Sequence, residues 1–289
     1  MTQTGIQQAR AAHTTIGSHP YWRCYVSNQE RAFQTAYYML YDETPPSFPT
    51  SSTHNRRNNI DEVKYEPKGQ PIIKEGRPRP SLILEPRLRE RAKGVREGRD
   101  KKLSYKEAMA LFEEEDSGEE IRKLETEQDV WSRVHHWLLD VWTDAYRDYE
   151  LKLQSSARST NTKDGPAVPV VVEPFVYDVL AVSHSGTMRT TIENMVGSQL
   201  PPDLEREETD RDGNQVGRLI VPNTSMTTIE LSLPKSKLLR DFKHSNSLNS
   251  EGEGEEDPWE IKLTDLNNVS HLERIKSETA NDMKELSPL

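Results

Sequence analysis

The chain has 289 residues, of which 33% are hydrophobic, and its mean hydropathy is −0.86. One globular core with long polar inserts fits these values better than two complete domains, and no apolar run approaches the roughly 18 residues that a membrane span needs. The single cysteine, Cys24, excludes an internal disulfide and suits a reducing compartment, cytoplasmic or nuclear, while the net charge of −10 gathers in residues 241–289, where 12 Asp and Glu meet 5 Lys and Arg.

Residues 3–16 read as a helix with Ile6, Ala9 and His13 on one side. Tyr21 to Val26 is a short aromatic and β-branched run, which predicts a strand. Ser27 follows it, and Ala32, Phe33, Ala36, Tyr37 and Leu40 then recur at helical spacing over 29–41. Residues 43–80 carry seven prolines among Ser, Thr, Asn and Lys, and read as a disordered insert.

Ser104 with Glu107 forms a capping box for a helix over roughly 104–115. The next helix is the clearest element, with Val130, Val134, Trp137, Leu138, Val141, Ala145 and Tyr149 as its apolar stripe. Its Trp131, Trp137 and Trp142 read as packing residues. Its adjacent His135 and His136 point about 100° apart, which argues against a shared metal ion. Arg133 reads as a solvent-facing charge. Residues 154–169 read as a second polar linker.

Val170–Val172 and Tyr177–Val182 are strand-like, and the second run is apolar enough to be buried on both faces. His184 comes next, then a helix with Met188, Ile192, Met195 and Val196 inward. Residues 200–215 read as an acidic loop, and Leu219–Val221, Met226–Leu233 and Trp259–Leu263 as later strands. The expected organisation is a domain over 1–240 with inserts at 43–80 and 154–169, an acidic disordered linker at 241–257, a terminal strand of the domain within 258–275, and a disordered tail at 276–289. Strands alternating with amphipathic helices predict a three-layer α/β fold with a mainly parallel sheet flanked by helices.

Ligands of such sheets bind beyond the carboxyl ends of the strands. Two strand-to-helix junctions put suggestive residues there. The first is Ser27-Asn28-Gln29-Glu30-Arg31-Ala32, where Arg31 in the first helical turn offers a guanidinium fork to a phosphate. The second is Val182-Ser183-His184-Ser185-Gly186-Thr187-Met188-Arg189, where Gly186 lets backbone and ligand approach closely. Arg189 reads as a structural anchor more than a substrate contact. Between the junctions lies a run of charge, Arg87, Arg89, Arg91 and Lys93, that reads as a solvated face around Glu90. It lacks interleaved aromatics and is interrupted by Glu90, Glu97 and Asp100, so nucleic acid is not an expected partner.

These segments resemble the histidine phosphatase (phosphoglycerate-mutase-like) superfamily. Ser27 to Ala36 is similar to its Ser-x-x-x-Arg-Ala-x-x-Thr-Ala motif, and Val182 to Arg189 to its Val-Ser-His-x-Gly-x-x-Arg motif. Leu88-Arg89-Glu90, with Gly94 and Glu97-Gly98, resembles the segment that carries the proton donor. Asn223-Thr224-Ser225-Met226-Thr227 resembles a late strand motif, and Thr2 to Ala9 an early helix. The order of the five segments carries the resemblance.

The resemblance implies a phosphomonoester hydrolase that works through a phosphohistidine intermediate and needs no metal or cofactor. Arg31 matches a phosphate-binding arginine, Glu90 the general acid, and His184 a second histidine that serves catalysis by binding phosphate oxygens. The partner would be a phosphorylated small molecule. Leu88-Arg89-Glu90-Arg91-Ala92-Lys93-Gly94 departs from the mutase pattern Leu-Asn-Glu-Arg-His-Tyr-Gly, which favours hydrolysis over bisphosphoglycerate chemistry. None of the eight histidines is preceded by Arg or followed by Gly, so the superfamily's nucleophilic Arg-His-Gly motif has no counterpart. The expectation is a truncated start that omits this motif and the first interior strand of the sheet, leaving the chain inactive and unstable alone. The alternative is a non-catalytic phosphate-binding or scaffold pseudophosphatase, and a phosphoglycerate mutase comes third.

Overall fold

The computed structural model describes residues 1–48, 64–65, 80–94, 106–107, 110–111, 124–159, 176–197, 200, 205–209, 215–219, 221–222, 224–232 and 260–272. The acidic linker at 241–257, the tail at 276–289, the strand expected at 170–172 and most of the two inserts lie outside these residues. The chain divides into two compact units, Met1–Thr190 and Thr191–Leu289.

The first unit begins with helix α1 (Gln3–Ile16), capped by the Thr2 hydroxyl, which accepts from the Gly5 amide. It lies against α2 (Glu30–Tyr41), with His13 Nδ1 3.0 Å from the Met39 carbonyl oxygen and the Arg10 guanidinium over the Tyr38 ring. Between them in the chain runs strand β1 (Arg23–Ser27). The sheet has the order β2 (Lys64–Tyr65), β3 (Leu82–Glu85), β1, β4 (Val179–Val182). Strand β1 is parallel to both β3 and β4, and β2 is antiparallel to β3.

Alternation along the strands sends side chains to two helical layers. Cys24, Val26, Leu82 and Val182 meet Phe33, Ala36, Tyr37 and Leu40 of α2. Tyr25 and Ile83, on the other face, meet Val134 and Trp137 of the long helix α3 (Glu127–Ser159). The Tyr25 and Trp137 rings stand edge to face, 5.4 Å between centroids. The result is the expected three-layer α/β arrangement with helices on both faces of a mainly parallel sheet.

Helix α3 is tied along its length. Arg133, near its start, reaches the turn after β3. Asp144 pairs with Arg23 at the start of β1 (2.6 Å), and Asp148 accepts from the Tyr177 hydroxyl just before β4 (2.7 Å). The helix therefore runs antiparallel to the three parallel strands.

Four sequence expectations need correction here. Strand β3 does not show in the sequence, because a three-residue apolar run closed in by Pro80 and Pro86 has no room to display a period. The insert at 43–80 contributes β2. Residues 154–159, expected as the start of a linker, are helical, since α3 continues to Ser159 with no Gly or Pro to stop it. Finally, β4 packs toward both layers, Leu180 and Val182 on the α2 side and Val179 and Ala181 on the α3 side, but Val179, Leu180 and Ala181 are only partly buried, because the strand ends the order among the described residues.

Helix α4 (Ser185–Val196) follows β4. In the second unit Ile192, Val196 and Leu219 form a small core, joined by Met195, Val221, Ile261 and Leu263. Strands β5 (Glu205–Thr209) and β6 (Gln215–Leu219) pair antiparallel, in a stretch where the sequence suggested an acidic loop. Antiparallel ladder bonds outweigh the composition there. A second antiparallel pair joins β7 (Met226–Ser232) to β8 (Glu260–Asn268). Among the described residues no helix is long and apolar enough to cross a membrane.

Candidate functional site

The carboxyl ends of β1, β3 and β4 bring three residues together from distant parts of the chain. Arg31 stands in the first turn of α2, Glu90 just past the 3-10 turn Pro86–Leu88, and His184 between β4 and α4. Arg31 Nε donates to His184 Nδ1 at 3.0 Å, and Arg31 Nη2 donates to Glu90 Oε2 at 3.0 Å. The Arg31 side chain is 58% exposed and the Glu90 side chain 20%. Arg31 is thus the open face of the site and the other two are its walls.

These contacts fix the state of His184. Arginine can only donate, so Nδ1 must hold a lone pair, and the ring proton sits on Nε2. Nε2 lies 2.8 Å from Ser27 Oγ, which therefore accepts from it and also accepts from the Gln29 amide at 3.3 Å. His184 is 6% exposed. Its pKa is pushed down to about 4, first by burial and then by the charges of Arg31 and Arg133. The imidazole is neutral at physiological pH, and both its nitrogens are engaged. Contact between His184 and a phosphate oxygen requires one of the two bonds to open.

This burial has a consequence for stability. Below pH 6.5 the unfolded chain takes up a proton on this histidine and the folded chain does not, down to about pH 4. The unfolded state then binds more protons, so stability falls as pH falls through that window, by on the order of 3 kcal/mol. Urea midpoints measured from pH 7.5 to 4.5 should show this loss in the native sequence, with a shallower slope in His184→Asn. The difference between the two proteins is the informative quantity, because buried His271 is shifted in the same direction. Equal slopes would mean that His184 titrates normally.

Gly186 leaves room for the Glu90 carboxylate: a Cβ built on it would lie 2.8 Å from Glu90 Oε1. Any side chain there displaces the carboxylate. Ser27 and Arg133 were not singled out as site residues by sequence reasoning. Ser27 is fully buried and was legible only as the first residue of its motif. Arg133 contradicts its solvent-facing reading. Its side chain is 11% exposed, and it donates to the carbonyl oxygens of Arg87 and Arg89 and to the Glu125 carboxylate. Burial and the charge of Arg89 lower its pKa, against the opposing pull of Glu125.

The charge run is likewise more than a solvated face. Arg87 pairs with Glu85 and Asp140, Arg89 with Glu125, and Arg91 with Glu127. On α3, Trp137 is buried, Trp131 lies against the His135 ring, and His136 Nδ1 is 2.7 Å from the Ser132 carbonyl oxygen. Among the described residues no group of three or more His, Cys, Asp or Glu is disposed to hold a metal ion.

The arrangement can receive an anion. An exposed guanidinium in the first turn of α2 stands beside a desolvated neutral imidazole that directly precedes α4, and helix starts favour negative charge. A carboxyl group stands within reach of whatever the guanidinium binds.

No protein-family model matches the sequence, and no curated protein sequence does. Among solved structures the chain is similar to a protein described as mycobacterial hydrolase 1, at 18% identity over 92% of this chain and 86% of that one, with a TM-score of 0.39. It is similar also to a mycobacterial glucosyl-3-phosphoglycerate phosphatase in complex with inorganic phosphate, at 17% identity over 94% and 88% of the two chains, with a TM-score of 0.38.

Proposed function

We propose that the chain is a phosphomonoesterase-type member of the histidine phosphatase superfamily, with a phosphorylated small molecule as its substrate. The convergence of Arg31, Glu90 and His184 supports this reading. Glu90 and His184 lie 59 and 153 residues from Arg31 along the chain, in segments that resemble three motifs of that superfamily, and the two bonds that join them to it are 3.0 Å each. In this reading Arg31 binds the phosphoryl oxygens, Glu90 protonates the leaving oxygen, and His184 holds Arg31 and contributes to the phosphate site.

The superfamily's nucleophile is the histidine of an Arg-His-Gly segment, and none of this chain's eight histidines lies in one. His184 is a poor candidate for that role because its unprotonated nitrogen already accepts from Arg31. Covalent catalysis needs a free lone pair in line with phosphorus. The same fact favours a second reading, a phosphate-binding pseudophosphatase that never turns over.

Two measurements test these readings. Residues 1–289 should bind inorganic phosphate saturably in a calorimetric titration but leave p-nitrophenyl phosphate intact. A form extended upstream through an Arg-His-Gly segment should hydrolyse it; an upstream reading frame without one supports the pseudophosphatase. Robust turnover by 1–289 that His184→Ala abolishes would overturn the assignment of the nucleophile.

A further inference from the structure

The turn that leads into Glu90 is held by its carbonyl groups. Those of Arg87 and Arg89 accept from the two Nη atoms of Arg133, the second at 2.9 Å. On the other side of Glu90, the Ala92 amide donates to Glu125 Oε2 at 2.9 Å, and the Ala92 carbonyl accepts from the Glu125 amide at 3.2 Å. Arg133 Nε closes the bracket by donating to Glu125 Oε1 at 3.2 Å.

Both bracketing side chains are nearly buried, at 11% and 12% exposure. Neither bonds to the Glu90 carboxylate, whose partners are Arg31 Nη2 and the Arg91 amide. Attachment of α3 to the sheet does not need them, because Val134 and Trp137 already supply apolar packing. A buried ion pair loses much of its attraction to desolvation, and what it adds over apolar packing is direction.

We infer that Arg133 and Glu125 are positioning residues that hold the Glu90 carboxylate against Arg31, so that an anion entering the site meets a restrained carboxyl group. This role rests on the proposed phosphate site.

The test is a double-mutant cycle on residues 1–289, read by calorimetric titration with inorganic phosphate. Glu90→Gln removes a charge that repels phosphate and competes for Arg31, and should tighten binding three- to tenfold. Glu125→Gln breaks the bracket while keeping its volume: each carboxylate oxygen accepts from at least two donors, so either amide orientation turns an NH2 group on donors. In the Glu125→Gln background, the gain from Glu90→Gln should shrink to less than twofold. A role confined to stability would lower the urea midpoint and leave the Glu90→Gln gain intact, which overturns the inference. Arg133→Lys gives the same comparison with the charge kept and the fork removed. Absence of phosphate binding by the native sequence is a different failure, and removes the site itself.

Discussion

Arg31→Ala should weaken inorganic phosphate binding about a hundredfold, the largest functional effect expected of any single substitution in the chain. The guanidinium is the strong cation that faces outward at the ends of the strands, with its side chain 58% exposed. A charge-assisted hydrogen bond to phosphate contributes about 1.5–3 kcal/mol, and at this exposed arginine the low end applies, so the two bonds that alanine removes total about 3 kcal/mol, on the order of a hundredfold. Stability should change by about 1 kcal/mol or less, because the bonds that Arg31 makes to Glu90 and His184 are partly solvated at the arginine end. In an upstream-extended form that turns over, the same substitution should cost two to three orders of magnitude in kcat/KM. Arg31→Lys should recover part of the affinity and little of the rate, since a point charge cannot reproduce the planar fork. Unchanged phosphate affinity in Arg31→Ala would remove this residue from the site.

Phe33→Ala should cost about 3–5 kcal/mol of folding stability, measured by urea denaturation. Phe33 is fully buried, between β1 and its own helix, and its ring stands edge to face with Phe48 at 5.5 Å. Domains are stable by only about 5–15 kcal/mol, so the variant should lose a large part of its folding margin. Phe33→Leu should cost about 1.5 kcal/mol or less, since most of the volume is kept. Phe33 is two residues from Arg31 in the same helix, so removal of its anchor should also loosen the first turn of α2. A stability decrease below 1 kcal/mol would show that the layer between sheet and α2 is not packed as described.

The helices were legible because each is long enough for a 3.6-residue period to appear more than once. In α3 the stripe Val134, Trp137, Leu138, Val141 is the face that meets the sheet. Short strands carry no such redundancy. The apolar run Leu82-Ile83-Leu84 was passed over, although it forms the strand next to β1. The ordered motifs single out Arg31, Glu90 and His184, which meet at the strand ends, but not Arg133. Its signal would have been a partner, Glu125, eight residues before it. An ion pair between a helix and the segment preceding it leaves no periodic trace in a sequence. The reading of Arg89 and Arg91 as solvated failed for the same reason: charge runs look alike until the opposite charges that face them are known.

One stretch of helix α3 matches strand β1 in length. From Arg133 at the site to Asp144 at the start of β1 is 11 residues of helix, about 16 Å of rise. The five residues of β1 span about 16 Å in extended form. Helix and strand act as two matched rulers, pinned at both ends by side chains that must also point the correct way round. One residue inserted between 134 and 143 would lengthen the helix by only about 1.5 Å but turn everything beyond it by about 100°. Arg133 could then keep the site, or Asp144 and Asp148 could keep the far end of the sheet, and not both. The clasp around Glu90 is therefore set in phase with residues on the opposite side of the unit, and length variation in this helix is tolerable only beyond its last pin.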